Sequence, residues 1–322
     1  MFSTKNTNLM TFDPKSTNFD KEILNNLYKE SYEYCMEVME EHSKSFYFAS
    51  RFLPANQRRS VAALYAFARL TDDIVDEGNF SDEEVEKELN KLKQSIEQLS
   101  QGFISNNPIL LAFGDTLRKH KIPTRYLFDL IEGVRMDLTK KIYNTNEELE
   151  LYAWRVAGVI GTMMTHIFLD NPSEKTLARA ADLGLAMQLT NIFRDVKEDL
   201  ERGRIYIPKE IMEQYNVTIE DLKSKKVSKN LKELLKYEIQ RTKGIYKLAE
   251  LGIKDLPPAA QYTILLASKV YSDILNQIKR NKFEILSKRA VVSKPRKILI
   301  ALRVRLTYIS LKKGTEPEAS IS

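Results

Sequence analysis

Apolar residues recur every three or four positions along most of the chain, as in Ile23, Leu27, Cys35, Val38 and Met39, or Leu231, Leu234, Leu235 and Ile239. That spacing places them on one side of an α-helix. No convincing run alternates with period two, so strands are not expected. Pro54, Pro108, Pro123 and Pro208 each precede a periodic segment, where a proline suits the start of a helix. Ser81-Asp82-Glu83-Glu84 and Ser173-Glu174 supply caps and first-turn acids for two more. Glycine is scarce, 11 in 322 residues, so tight hairpins are few. No linker, low-complexity tract or long repeat breaks the pattern. One all-α domain over residues 21–312 is the simplest account, a helical bundle around a central cavity. Residues 1–20 are polar and expected to be poorly ordered, and residues 313–322 form a second tail.

The greasiest stretch, Ala153 to Leu169, carries Arg155 and His166 and is too short to span a bilayer, so it predicts a buried helix. Met1 to Asp20 has no apolar core segment of the kind a secretory signal needs. The single cysteine, Cys35, excludes an intramolecular disulfide or a cysteine-based zinc site and suits a reducing cytoplasm. Cys35 reads as small core filler, His166 as a satisfied core histidine, and His120, after Lys119, as an exposed loop residue.

Charge alters this picture at one end. Between Lys279 and Lys313 twelve Lys/Arg face one acid, Glu284, so this stretch carries +11 and the remainder −5 within a total of +6. It is either a solvated helix face with a basic tail or a peripheral contact with an anionic membrane, on the inner surface, through Ile298 to Leu302. A nucleic-acid partner is not expected, because the basic stretch is interleaved with aliphatic rather than aromatic residues.

The chemistry concentrates in two acidic segments. In Tyr65-Ala66-Phe67-Ala68-Arg69-Leu70-Thr71-Asp72-Asp73-Ile74-Val75-Asp76-Glu77, Asp72 and Asp76 are four apart and share a helix face, with Asp73 and Asp76 as the alternative pair. Leu64, Phe67, Leu70, Ile74 and Val75 predict that this helix is largely buried, and buried carboxylates clustered this way need a cation. In Gln188 to Asp199, the residues Asn191, Asp195 and Asp199 form a second stripe at i, i+4 and i+8. All-oxygen ligands favour a hard ion such as Mg²⁺, with Mn²⁺ as a substitute, held partly by substrate phosphates. Such an ion neutralises charge on a departing diphosphate. Arg69, Arg194, Arg202 and Arg204 lie near the acids and can bind phosphate oxygens in pairs. Each could equally be a plain salt-bridge partner. Tyr65 and Tyr206 offer hydroxyls, or ring faces for a carbocation.

These residues resemble the squalene and phytoene synthase family. His42-Ser43-Lys44-Ser45-Phe46, Tyr65 to Asp76, and Met187 to Asp199 with Gly203-Arg204-Ile205-Tyr206-Ile207-Pro208 follow the family's order. So do Tyr152, Val156 to Gly161, Tyr271 to Phe283 and Lys288 to Val291, and the likeness spans roughly residues 30 to 300. It implies an isoprenoid synthase fold, with Asp72, Asp76, Asn191 and Asp195 holding magnesium and Asp199 on the same face. Ser45, Tyr65, Arg69, Gln188 and Arg194 are implied to contact the diphosphates or prenyl chains. His42 and Tyr271 fall in matching segments.

The implied reaction joins two prenyl diphosphates head to head, giving phytoene from C20 substrates. Squalene or dehydrosqualene from farnesyl diphosphate is the close alternative, with NADPH needed only for squalene. A non-catalytic assembly-factor relative is the alternative of another class, though such relatives tend to lose the acids that are whole here. Ala157, Gly158 and Gly161 are candidates for the wall that leaves room for a C20 chain, the alternative being that these small residues only let two helices pack closely.

Overall fold

The computed structural model describes residues 9, 11–14, 21–76, 81–224 and 226–312, the last four by backbone only. Most of the two expected tails lies outside these residues, as does Glu77. The helices follow the sequence periodicity: α1 (Lys21–His42), α2 (Lys44–Ser50), α3 (Ala55–Asp76), α4 (Asp82–Ser100), α5 (Pro108–Lys119), α6 (Thr124–Thr139) and α7 (Asn146–Ala153). A π-helical turn, Trp154–Gly158, leads into α8 (Val159–Phe168), followed by α9 (Glu174–Glu201), α10 (Lys209–Gln214), α11 (Ile219–Lys223) and α12 (Lys229–Ala249). A 3₁₀ segment, Glu250–Asp255, then joins α13 (Pro258–Arg280), and α14 (Lys294–Lys312) ends the fold.

The expected start signals act as such. Ser81 and Glu84 close a reciprocal capping box on α4. Asn107 caps α5 with Pro108 in its first turn, and the Ser173 hydroxyl accepts from Thr176 N–H at the start of α9. Pro54, Pro123 and Pro208 stand immediately before α3, α6 and α10.

Four details depart from the sequence reading. β1 (Thr11–Phe12) pairs antiparallel with β2 (Ile104–Ser105), and buried Leu9 lies beside α4, where its carbonyl accepts from the Ser95 hydroxyl. The π turn interrupts the greasy stretch. His120 is not in an open loop; it closes α5 half-buried, with Nε2 2.9 Å from the Ser60 hydroxyl. His166 packs beside the Tyr126 ring, but its buried Nε2 has no hydrogen-bond partner, so it is not a satisfied histidine. Cys35 is fully buried as expected.

α9 is the spine, packed against α8, α12, α13 and the π turn. α3 packs against α1, α5, α6 and α8, with Phe67 stacked on Phe113 at 4.0 Å. Most of the buried apolar side chains form one continuous cluster. Among the described residues no helix is long and apolar enough to cross a membrane.

Candidate active site

A cleft of about 690 Å³ opens between α3, α6, α9 and the segment after α13. The two acidic faces both line it. From α3 come Tyr65, Arg69, Asp72 and Asp76; from α9 come Gln188, Asn191, Arg194, Asp195 and Asp199. His42 and Ser45 reach it from the α1–α2 junction, Tyr271 from α13, and Arg204 and Tyr206 from the turn after α9. Every expected site residue therefore lines a single cleft. Asp73, the alternative partner of Asp76, does not line the cleft and instead holds Arg69 at 2.5 Å.

The carboxylates are crowded and partly neutralised. Asp72 lines the cleft and keeps accessible surface. Enclosure, and then the neighbouring Asp76, push its carboxyl up to about 8. Burial and then Asp195 push Asp199 up to about 7, with Arg202 and Arg204 opposing. Asp76 accepts from Arg204 at 2.8 Å and Arg202 at 3.0 Å. Asp195 accepts from Arg194 at 2.8 and 2.5 Å and from Arg289 at 2.8 and 3.3 Å.

A local backbone device sets the Arg204 lock. Gly203 ends α9 with φ +73°, a conformation that costs a side-chain-bearing residue. Its N–H bonds Leu200 O while Arg204 N–H reaches back to Asp199 O, the paired bonds that reverse a chain after a helix. The reversed segment then runs beside residues 141–144, with Ile205 N–H on Lys141 O. This returns Arg204 across the cleft to Asp76 on α3.

Asp137, on α6, joins the cleft and was not among the expected residues. Its oxygens accept from Tyr206 at 2.7 Å and Tyr152 at 2.9 Å, and those two rings stack 5.1 Å apart. Burial raises its carboxyl against the pull of Arg204 and both tyrosines. Burial likewise pushes the Tyr65 hydroxyl up to about 12. A sequence signal for Asp137 was lacking because its partners come from two other segments, Tyr152 and Tyr206.

The donor set fits a hard divalent cation. The buried Asn191 Oδ1 has no hydrogen-bond partner, while its Nδ2 is 3.4 Å from Gln188 Oε1. An orphaned oxygen beside carboxyls that resist ionisation is what a cation relieves. Among the described residues no three acidic, histidine or cysteine side chains already converge on one point. Arginines pair with acids of both faces.

Below the acids the cleft continues into an apolar cavity of about 250 Å³. Ser43, Tyr65, Val156, Gln188, Asn191 and Tyr271 line both. Along α9 the lining passes from Asn191 through Met187, Leu183 and Ala180 to Thr176. Fifteen helical residues span about 22 Å. Ala157 and Gly161 line this cavity, whereas Gly158 does not and lies under the Trp154 ring. Gly158 thus stands outside the expected wall, and close helix packing accounts for Gly161. A Cβ on Gly161 would lie 2.2 Å from Ala180 O, and one on Gly184 would lie 2.2 Å from Ala157 O. These glycines let two backbones touch, so the small residues serve helix packing first.

The chain matches the squalene/phytoene synthase family model over residues 39–296. It is 34% identical to the phytoene synthase of Arthrospira platensis, over 84% of this chain and 91% of the relative. It is also 34% identical to the 15-cis-phytoene synthase of Synechocystis sp., over 84% of this chain and 83% of the relative. Among solved structures it is similar to a dehydrosqualene synthase in complex with a ligand. That pair has a TM-score of 0.82 and 30% identity, covering 88% of this chain and 98% of the other.

Proposed function

Since the chain belongs to the squalene/phytoene synthase family, we propose that it condenses two geranylgeranyl diphosphates head to head into phytoene, releasing diphosphate. It is a prenyltransferase. The observation that carries the substrate class is one cavity with two halves, an acid-and-arginine cleft opening into an apolar channel along α9. A diphosphate belongs in the first and a prenyl tail in the second.

Asp72, Asp76, Asn191, Asp195 and Asp199 would hold Mg²⁺, or Mn²⁺, which supplies charge neutralisation for the diphosphate when bound. The arginines that now grip Asp76 and Asp195 are positioned to turn to phosphate oxygens, a better bidentate partner once the carboxylates are otherwise occupied. Arg69 and Arg194 act on the same leaving group, with Gln188, Ser45 and His42 lining its pocket.

One substrate loses diphosphate to give an allylic cation, and the double bond of the second attacks it. Loss of a proton closes a cyclopropylcarbinyl diphosphate. That ester ionises in turn, its ring rearranges, and a second proton loss gives the hydrocarbon. No electrons are added or removed. The Tyr65 and Tyr271 rings at the junction of the halves offer faces to the cations, and the apolar walls exclude water. The released diphosphate is the proton acceptor in this scheme.

In the same proposal residues 21–312 are one domain, supported by the single continuous core. The enzyme works in the cytoplasm with its basic C-terminal stretch at a membrane surface. Farnesyl diphosphate as substrate, giving dehydrosqualene, is the second possibility, favoured by the likeness to the dehydrosqualene synthase. Purified protein given geranylgeranyl diphosphate and Mg²⁺ without NADPH should yield phytoene, and EDTA should stop it. Product from farnesyl diphosphate alone, or only with NADPH, would overturn the assignment.

A further inference from the structure

Helix α14 is apolar on two opposite sides. Ile300 and Val304 are buried and, with half-buried Ala301, face the core, where α14 packs on α13. Ile298, Leu299, Leu302 and Leu306 are 55%, 40%, 55% and 69% exposed. At a turn of about 100° per residue these four fall within an arc about 100° wide, pointing directly away from Ile300 and Val304. Arg303 borders the arc on one side, and Arg305 and Lys294 on the other. All three are exposed and make no ion pair among the described residues.

The helix is fixed in this orientation. Arg296 donates to both oxygens of Asp273, at 2.9 Å each, and Asp273 is 4% exposed. Tyr262 adds a hydroxyl bond to Ala301 O at 3.3 Å. The outward leucines are thus held rigidly in solvent.

We propose that this outer face of α14 is a docking surface for an anionic lipid bilayer, and that docking sets the rim of the active-site cleft against the membrane. An aliphatic stripe between rows of arginine and lysine is the pattern of a helix lying in a bilayer interface: acyl chains accept the leucines and anionic headgroups meet the cations. A second copy of the chain meets this face less well, because its own Arg303, Arg305 and Lys294 would oppose like charges. The connection to the cleft is covalent and short. Arg289, which grips Asp195, and Val291, 65% exposed, belong to the segment that lines the cleft and leads into α14. Resting on the prenyl-substrate proposal, this placement lets greasy tails and product pass between cavity and lipid without crossing water.

The test uses full-length protein and vesicles of phosphatidylcholine, with or without phosphatidylglycerol, scored by co-sedimentation. Wild type should bind the phosphatidylglycerol vesicles and be released by salt. A Leu302→Asp/Leu306→Asp variant should bind at least about tenfold more weakly, and Arg303→Glu/Arg305→Glu should lose the anionic preference. Both variants should match wild type in detergent-supported turnover, since none of the four residues lines the cavity. Vesicle binding unchanged in both variants overturns the proposal. So does a loss of self-association by sedimentation velocity with vesicle binding intact, which assigns the face to a second copy. A protein that binds vesicles but makes no product in detergent contradicts the proposed reaction and leaves the docking surface standing.

Discussion

Helix α9 runs through both halves of the cavity, and its two ends are built by opposite rules. Toward Asp199 it carries Asn191, Asp195 and Asp199 at four-residue spacing, each facing groups from other elements. Toward Thr176 it carries Ala180, Leu183, Gly184 and Met187, which meet the apolar wall of α8. The first end is specified by residue type, because only oxygen ligands and guanidinium groups can manage a diphosphate. The second is specified by shape, because many aliphatic side chains could line a prenyl tail. Substitutions in the first should therefore stop chemistry with little change in folding, and substitutions in the second should change size selection or stability.

The largest effect is expected at the polar end. Asp72→Asn or Asp195→Asn should each lower turnover at least about a thousandfold, since a catalytic metal supplies several kcal/mol and each 1.36 is tenfold. Steady-state assays with a thermal melt alongside check this. Wild-type turnover in either variant would remove the acids from the reaction.

At the apolar end two neighbouring substitutions should part company. Gly161→Val drives a side chain into the Ala180 carbonyl and should cost about 3 kcal/mol of stability, read by denaturant titration. Ala180→Phe narrows the channel and should shift preference from C20 toward C15 diphosphates at unchanged magnesium dependence. A folded Ala180→Phe protein with wild-type preference would place the length gauge elsewhere.

These outcomes bear on how much could be read from residues alone. The helices were legible because caps and prolines mark their starts, as at Ser81, Pro108 and Ser173. The acid faces were legible because Asp72 with Asp76, and Asn191 with Asp195 and Asp199, repeat within single helices. Asp137 was not, since it depends on tyrosines far away in sequence. Gly161 stayed ambiguous for a related reason: a missing side chain signals either room for a ligand or close backbone approach, and only the neighbouring helix decides. The β1–β2 pair is two residues long on each side, too short for a period to register.

A smaller effect concerns pH. Asp72 and Asp199 rise to about 8 and about 7 from 3.8, so in the metal-free folded state they keep protons that the unfolded chain has already lost. Their contribution to stability therefore falls as pH climbs from about 4 to about 8. A cation binds the deprotonated forms, so its stabilisation grows over the same window. The metal-free protein is expected to melt at a lower temperature at pH 8 than at pH 6, and Mg²⁺ to raise Tm more at pH 8. An equal metal response at both would separate these carboxyls from the metal.

The division of the cavity is tested most directly by a crystal structure with Mg²⁺ and a non-ionising thiodiphosphate analogue of geranylgeranyl diphosphate. The diphosphate should lie between Asp72 and Asp76 on one side and Asn191, Asp195 and Asp199 on the other, with Arg204 turned from Asp76 toward phosphate. The prenyl tail should descend along α9 past Met187 and Leu183 toward Thr176. A diphosphate bound away from these acids, or a tail directed out of the α8–α9 channel, would contradict it.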